Sequence, residues 1–153
     1  IGIPQIYYGT EVLLENSAKP GDHGLIRSDV PGGWKEDGTN GFTGAGLTRE
    51  QLRIQSFLRK LLNWRKNKTV IHQGNTKHFG PAKGVYVYFR YNKSETVMVV
   101  MNKNTGVTML DTNRFTEMIN GKSQATDVVS GNTFSFGNEI SVPAKSVLIL
   151  ELK

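Results

Sequence analysis

From Gly84 to the C-terminus, apolar residues fall on every second position, and a period of two commits this stretch to a sheet. Val85, Val87, Phe89 and Tyr91 alternate with Tyr86, Tyr88 and Arg90. Residues 96–101 form a more continuous apolar run, the pattern of a strand covered on both faces. Further strands are expected at 107–110, 125–129, 133–136, 139–142 and 146–152. Turn formers separate them: Asn92-Lys93-Ser94, Asn104-Thr105-Gly106, Ser130-Gly131-Asn132 and Gly137-Asn138. Short strands joined by such turns predict a mainly β fold, an antiparallel sandwich or barrel, and of these the Greek-key β-sandwich is the expectation adopted.

Upstream the period is different. Ile54, Phe57, Leu58, Leu61 and Trp64 recur at spacings of three and four, which puts them on one stripe of a helix. Thr48 followed by Gln51 has the spacing of a capping box, so the helix is expected to begin at 48 and to end near 67. Residues 3–8 are a short apolar and aromatic run between Gly2 and Gly9, read as a buried strand. Between 15 and 46 the chain is rich in Gly, Asp, Asn, Ser and Pro, yet carries Trp34 and Phe42. A disordered linker seldom holds such aromatics, so an ordered loop is expected. The organisation expected is therefore residues 1–74 as one part and 75–153 as the sandwich.

Composition narrows the function classes. Hydrophobic residues make up 37% of the 153, enough for a packed core. No apolar run approaches the ~20 residues that cross a bilayer, so no membrane partner is expected. The absence of cysteine excludes disulfides and thiolate metal sites. The formal charge of +6 raises the question of nucleic acid, but Arg59, Lys60, Arg65, Lys66 and Lys68 crowd the end of the predicted helix. Cations there suit the helix dipole, and nucleic acid is not expected as a partner. The chain opens on Ile1 with neither an initiator Met nor a leader, which suggests excision from something longer and leaves the localisation of the parent open.

Little points to catalysis within the chain itself. His23, His72 and His78 show no metal-binding spacing, no GxSxG elbow surrounds a serine, and the glycines of 32–33 and 44–46 lack the GK[ST] of a phosphate loop. No cofactor and no metal are expected. The carboxylates Glu11, Glu15, Asp22, Asp29, Glu36 and Asp37 lie in or beside the irregular segment without a defined pair. Trp34, Tyr7, Tyr8 and Tyr86 have flat faces suited to stacking on sugar rings, with packing as the competing role, favoured for Tyr86 and Tyr88.

The run Gly2-Ile3-Pro4-Gln5-Ile6-Tyr7-Tyr8-Gly9-Thr10-Glu11 closely resembles the eighth barrel strand of the α-amylase family, glycoside hydrolase family 13. Arg27-Ser28-Asp29 and Pro31-Gly32-Gly33-Trp34 resemble the loop that follows it in the neopullulanase and cyclomaltodextrinase branch. Asn40-Gly41-Phe42-Thr43, Leu47-Thr48 and Trp64-Arg65-Lys66 extend the likeness into the eighth barrel helix. Val85-Tyr86-Val87-Tyr88, Asp127-Val128-Val129-Ser130-Gly131 and Ser146-Val147-Leu148 extend it into the C-terminal sandwich. The resemblance implies a remnant strand, loop and helix of a (β/α)8 barrel ahead of that sandwich. It also implies a parent enzyme that cleaves α-glucans with retention, through carboxylates on earlier barrel strands. No counterpart of those carboxylates occurs here, so no catalytic residue is expected in this chain. The resemblance implies that Asp22 and Arg27 match the Asp and Arg of that loop that bind sugar hydroxyls, Trp34 joins them as a candidate stacking face, and Tyr8 and Glu11 belong to the barrel-end motif. The expected partners are an α-glucan oligosaccharide met through the parent, and the missing catalytic barrel, with self-association of the fragment possible through its apolar stripe. The alternative reading is a carbohydrate-binding β-sandwich module.

Overall fold

In a computed structural model the described residues are 4–15, 21–24 and 26–153, and Ile3 of the expected first strand, with Gly2 before it, lies outside them. Internal contacts divide the chain into two compact units, 1–59 and 60–153.

The second unit is a sandwich. Strands β1 (Asn75–Ala82), β2 (Val85–Tyr91), β3 (Thr96–Asn102), β4 (Thr108–Asp111), β5 (Gln124–Asp127), β6 (Thr133–Ser135), β7 (Glu139–Val142) and β8 (Ser146–Leu152) form two sheets. The larger has the order β1-β2-β3-β8-β5-β6, and the smaller pairs β4 with β7. All pairings are antiparallel. The chain leaves the large sheet after β3 and again after β6, and β8 returns to lie between β3 and β5.

The alternation read from the sequence decides which side chains meet. Val85, Val87 and Phe89 of β2, Met98 and Val100 of β3, and Leu150 and Leu152 of β8 face inward. They pack against Leu110, Ile140 and Val142 of the small sheet. Phe115 closes this core, with Phe79 and Phe89 edge-on or tilted at centroid distances of 4.9 and 6.0 Å. On the opposite face of the large sheet, Val97, Val99 and Ile149 are covered by Leu61, Trp64, Val70 and Ile71. That double cover is why 96–101 reads as one continuous apolar run.

Three features depart from expectation. Strand β1 has no counterpart in the sequence reading: it is an edge strand exposed along most of its length, so its residues need no apolar alternation. A two-residue turn joins it to β2, with Lys83 at φ 48 and Gly84 at φ 75, the left-handed pair of a type I′ hairpin. Between β4 and β5, Asn113–Phe115 and α3 (Thr116–Ile119) are helical where only strand and turn were expected. The Asp111 carboxylate starts that turn by accepting the Asn113 N–H at 2.9 Å, and the turn delivers Phe115 to the core. Strand β5 stops at Asp127, two residues early, because the buried Asp127 carboxylate accepts from Ser130 N at 2.9 Å and from Ile149 N at 3.1 Å.

Helix α1 (Arg49–Lys66) begins as the capping box requires. Thr48 N donates to Gln51 Oε1 at 2.9 Å, and Gln51 N donates back to Thr48 Oγ1 at 3.3 Å. Its predicted stripe is half-buried, and the chain makes one further helical turn, α2 (Thr69–His72), which sinks Val70 completely.

The first unit corrects the sequence reading most. No strand forms at 4–8. The Tyr7 carbonyl accepts from Thr10 N and Oγ1, and Thr10–Val12 close a 3-10 turn instead. A strand at this place needs ladder partners, and the described residues of this unit contain no other strand. Ile6, Tyr7 and Tyr8 are accordingly exposed. Of the long irregular segment, 16–20 and 25 lie outside the described residues; within 26–46 loop bonds order the chain, as Asn40 Oδ1 accepts from Phe42 N and Thr43 N, both at 2.9 Å, and Gly41 N donates to Pro31 O at 2.7 Å.

Candidate functional site

The residues singled out from the sequence lie in the first unit, on the turn of the barrel-end motif and the loop after it. Gly9 adopts φ 81, and a side chain there would meet Leu14 at 2.6 Å, so the close turn after Tyr8 depends on glycine. Glu11 sits half-buried within that 3-10 turn. The rings of Tyr7 and Tyr8 lie 4.5 Å apart, tilted by 36°.

Tyr8, Arg27, Asp29 and Trp34 are drawn together. The Tyr8 phenol is held above its ordinary pKa by a hydrogen bond with Tyr7, then by lost hydration and by the Tyr7 and Asp29 charges, while Arg27 opposes the shift. Trp34 is 66% exposed, yet its indole N–H donates to Asp29 Oδ2 at 3.2 Å. Arg27 Nη1 donates to the His23 carbonyl at 3.3 Å, which aligns its stem along the loop. Asp22 forms a local turn, its Oδ1 accepting the Gly24 N–H at 3.1 Å. The sequence reading named Asp29 and Asp37 among the carboxylates of this segment but did not join either to Trp34. Asp37 Oδ2 accepts from Gly32 N at 2.6 Å and Trp34 N at 3.1 Å, and these backbone donors pull its pKa down. The signal available was spacing: an Asp three residues after an aromatic in a Gly-rich turn is placed to cap its backbone.

In the second unit the charged groups brace the structure. Glu151 on β8 accepts from Trp64 Nε1 at 2.9 Å, and Lys68 bridges Glu151 and Glu95. Burial pushes the Glu151 carboxyl up, but the Lys68 ammonium and the Trp64 indole outweigh it and hold the group below its ordinary range. Tyr86 and Tyr88 share the outer face of the large sheet, with centroids 6.0 Å apart. Tyr88 packs with Leu61 and Trp64, in line with its expected packing role, whereas Tyr86 opens onto a groove of about 740 Å³ beside Met101 and Val147. Among the described residues no group of three or more His, Asp or Glu could hold a metal, and no helix is long and apolar enough to cross a membrane.

Comparison with known proteins places this architecture. The cyclo-malto-dextrinase C-terminal domain family matches residues 76–151. The cyclomaltodextrin glucanotransferase of Geobacillus stearothermophilus is 26% identical over 145 residues, 94% of this chain and 18% of that protein. The α-amylase of Geobacillus thermoleovorans, solved with acarbose, superposes with a TM-score of 0.68 at 14% identity, over 99% of this chain and 30% of that one. An Anoxybacillus α-amylase gives 0.64 at 18% identity, over 95% and 28%. The chain thus spans less than a third of the length of each of these relatives. With its sandwich matched over 76–151, the chain carries the C-terminal β-sandwich domain of the α-amylase family, glycoside hydrolase family 13.

Proposed function

We propose that these 153 residues are the closing part of a retaining α-glucan hydrolase, whose sandwich stabilises the catalytic barrel and which is inactive by itself. The observation that carries this is the extent of the likeness, which covers 99% of the chain and 30% of an α-amylase. Retaining cleavage needs a nucleophile and an acid/base carboxyl ~5 Å apart. The family resemblance locates both on barrel strands upstream of the motif at Gly2. In this reading the boundary between the barrel part and the sandwich lies at 74/75, and the start of the family match at 76 supports it.

The loop after the barrel-end motif contributes to sugar binding in the parent. Trp34 offers a stacking face, Tyr8 and Arg27 offer hydrogen-bond donors, Asp22 offers an acceptor for a sugar hydroxyl, and Glu11 braces the turn beneath them. The natural ligand is an α-glucan oligosaccharide. Solved relatives that carry maltose or maltotriose give this reading its chemical class. The alternative, a sandwich that binds sugar through a row of aromatics, loses support because Tyr88 is committed to packing against the helix.

Reducing-sugar release from soluble starch tests the reading. The purified chain is expected to release none, and a parent enzyme lacking 75–153 is expected to denature at lower temperature than the intact one. Starch cleavage by the chain alone, or an unchanged melting temperature in the truncated parent, would overturn it.

A further inference from the structure

We infer that Asp29 and Asp37 are positioning residues that hold the Trp34 indole as a preformed apolar platform for the face of a glucose ring, an inference that rests on the sugar-contacting role proposed for this loop. A tryptophan has one polar atom, the indole N–H. In an exposed tryptophan that N–H is ordinarily satisfied by water, and the ring is free to change rotamer. Here it is satisfied from within: Asp29 Oδ2 accepts it at 3.2 Å while 66% of the residue remains open to solvent. What faces solvent is therefore ring carbon, with its single donor already engaged.

The backbone beneath the ring is fixed as well. One carboxylate oxygen of Asp37 receives both the Gly32 and the Trp34 N–H, clamping the turn from 32 to 34. Gly32 stands at φ 103, and a Cβ there would meet the Asn40 side chain at 2.6 Å. The turn is thus closed over Asn40, which itself holds Phe42 and Thr43. Two carboxylates spent on one exposed aromatic bury no apolar surface, since the ring they hold is open to solvent. They remove rotamer freedom from the side chain before a ligand arrives, so that stacking does not have to order it. The ligand class follows from the surface presented. A flat, donor-free face with the Tyr8 phenol and the Arg27 cation grouped near Asp29 suits a pyranose, which has an apolar CH face and a rim of hydroxyls.

The test uses the whole 153-residue chain, ¹⁵N-labelled at tryptophan, with maltoheptaose as the probe. Two indole resonances are available, from Trp34 and Trp64. Trp64 reports on folding through its bond to Glu151. On titration the Trp34 resonance is expected to shift and the Trp64 resonance to stay. Asp29→Leu is expected to lower the Trp34 indole heteronuclear NOE and to weaken maltoheptaose binding about three- to tenfold, from the added cost of ordering one side chain. Asp29→Asn keeps an acceptor oxygen and is expected to restore affinity to within about twofold of wild type. Asp37→Ala is expected to resemble Asp29→Leu. A wild-type response that Asp29→Leu leaves unaltered would overturn the positioning role alone. A Trp34 resonance indifferent to maltoheptaose in the wild type would overturn the sugar-site reading, and the platform with it.

Discussion

Asn102, at the end of β3, is the most informative residue to perturb. It is 3% exposed, and its amide group donates to Pro143 O at 2.9 Å, Val142 O at 3.2 Å and Gly106 O at 3.3 Å. Its Oδ1 accepts from Asn104 N at 3.0 Å and Thr108 Oγ1 at 3.4 Å. One side chain thus ties the large sheet to the end of β7 and to the turn before β4. Asn102→Asp changes no volume but replaces the donating amide by a carboxyl that faces three carbonyl oxygens. Ionised, the new group is a buried charge without a partner, which costs about 3–5 kcal/mol. Protonated, it offers one O–H in place of two N–H groups, at a cost of about 1–2 kcal/mol. The folded state therefore favours the neutral carboxyl and binds a proton more tightly than the unfolded chain does. Stability must then fall as pH rises from about 4, where an unfolded Asp titrates, toward the raised folded value. Asn102→Ala brings no charge, and its loss of about 2–3 kcal/mol should not vary with pH. Urea unfolding followed by circular dichroism, at pH 4 and pH 7, reads both effects. With a slope of about 2 kcal/mol per molar urea, the aspartate variant should lose about 2 M in midpoint at pH 7 and under about 1 M at pH 4. Equal midpoint losses for both variants at both pH values would refute the reasoning.

Other perturbations probe different parts of the molecule. Phe115→Ala should cost about 3–5 kcal/mol in the same urea assay, because a fully buried ring that touches Phe79 and Phe89 is lost from the core. Glu151→Gln should remove part of the acid dependence of stability. A carboxylate held below its ordinary range stabilises the fold above that range and loses this as pH falls through its folded value, and partial exposure limits the effect to under about 1 kcal/mol. Exposed Ile6, Tyr7, Tyr8, Leu52 and Leu62 should make the 153-residue chain self-associate, and light scattering should show less association for residues 60–153 alone, which keep Leu61, Trp64, Val70 and Ile71 over the outer sheet face. A fully monomeric chain at high concentration would count against that.

What could be read from the sequence was what packs on one face at a fixed period. β2, β3, β7 and β8 announce themselves because their inward residues alternate with outward ones, or, in β3, because both faces are covered. β1 was silent because an edge strand owes its order to the ladder with β2 and not to its own burial. The helical turn before Phe115 was silent for a related reason: one buried ring in seven residues sets no period. The barrel-end motif gave the opposite error. Its apolar run belongs to a strand in the family, but a strand is a relation between segments, and within its own unit the run folds into a turn. In the candidate site, Tyr8, Arg27 and Trp34 could be named by residue type and family likeness. Asp29 and Asp37 could be noted as carboxylates of the loop but not assigned to Trp34, because their part depends on where the loop folds back.

The position of β8 has a consequence for biosynthesis. In chain order it is the final strand of the sandwich, yet in space it is the hinge of the large sheet, bonded to β3 on one side and β5 on the other. While a ribosome is still making residues 146–152, the sheet exists only as two separate pieces, β1-β2-β3 and β5-β6, each with an apolar edge waiting for the same partner. A message that stops seven residues short of Leu152 would not trim the sandwich. It would leave two open edges in one nascent chain, the form most apt to pair with a neighbour on the same polysome.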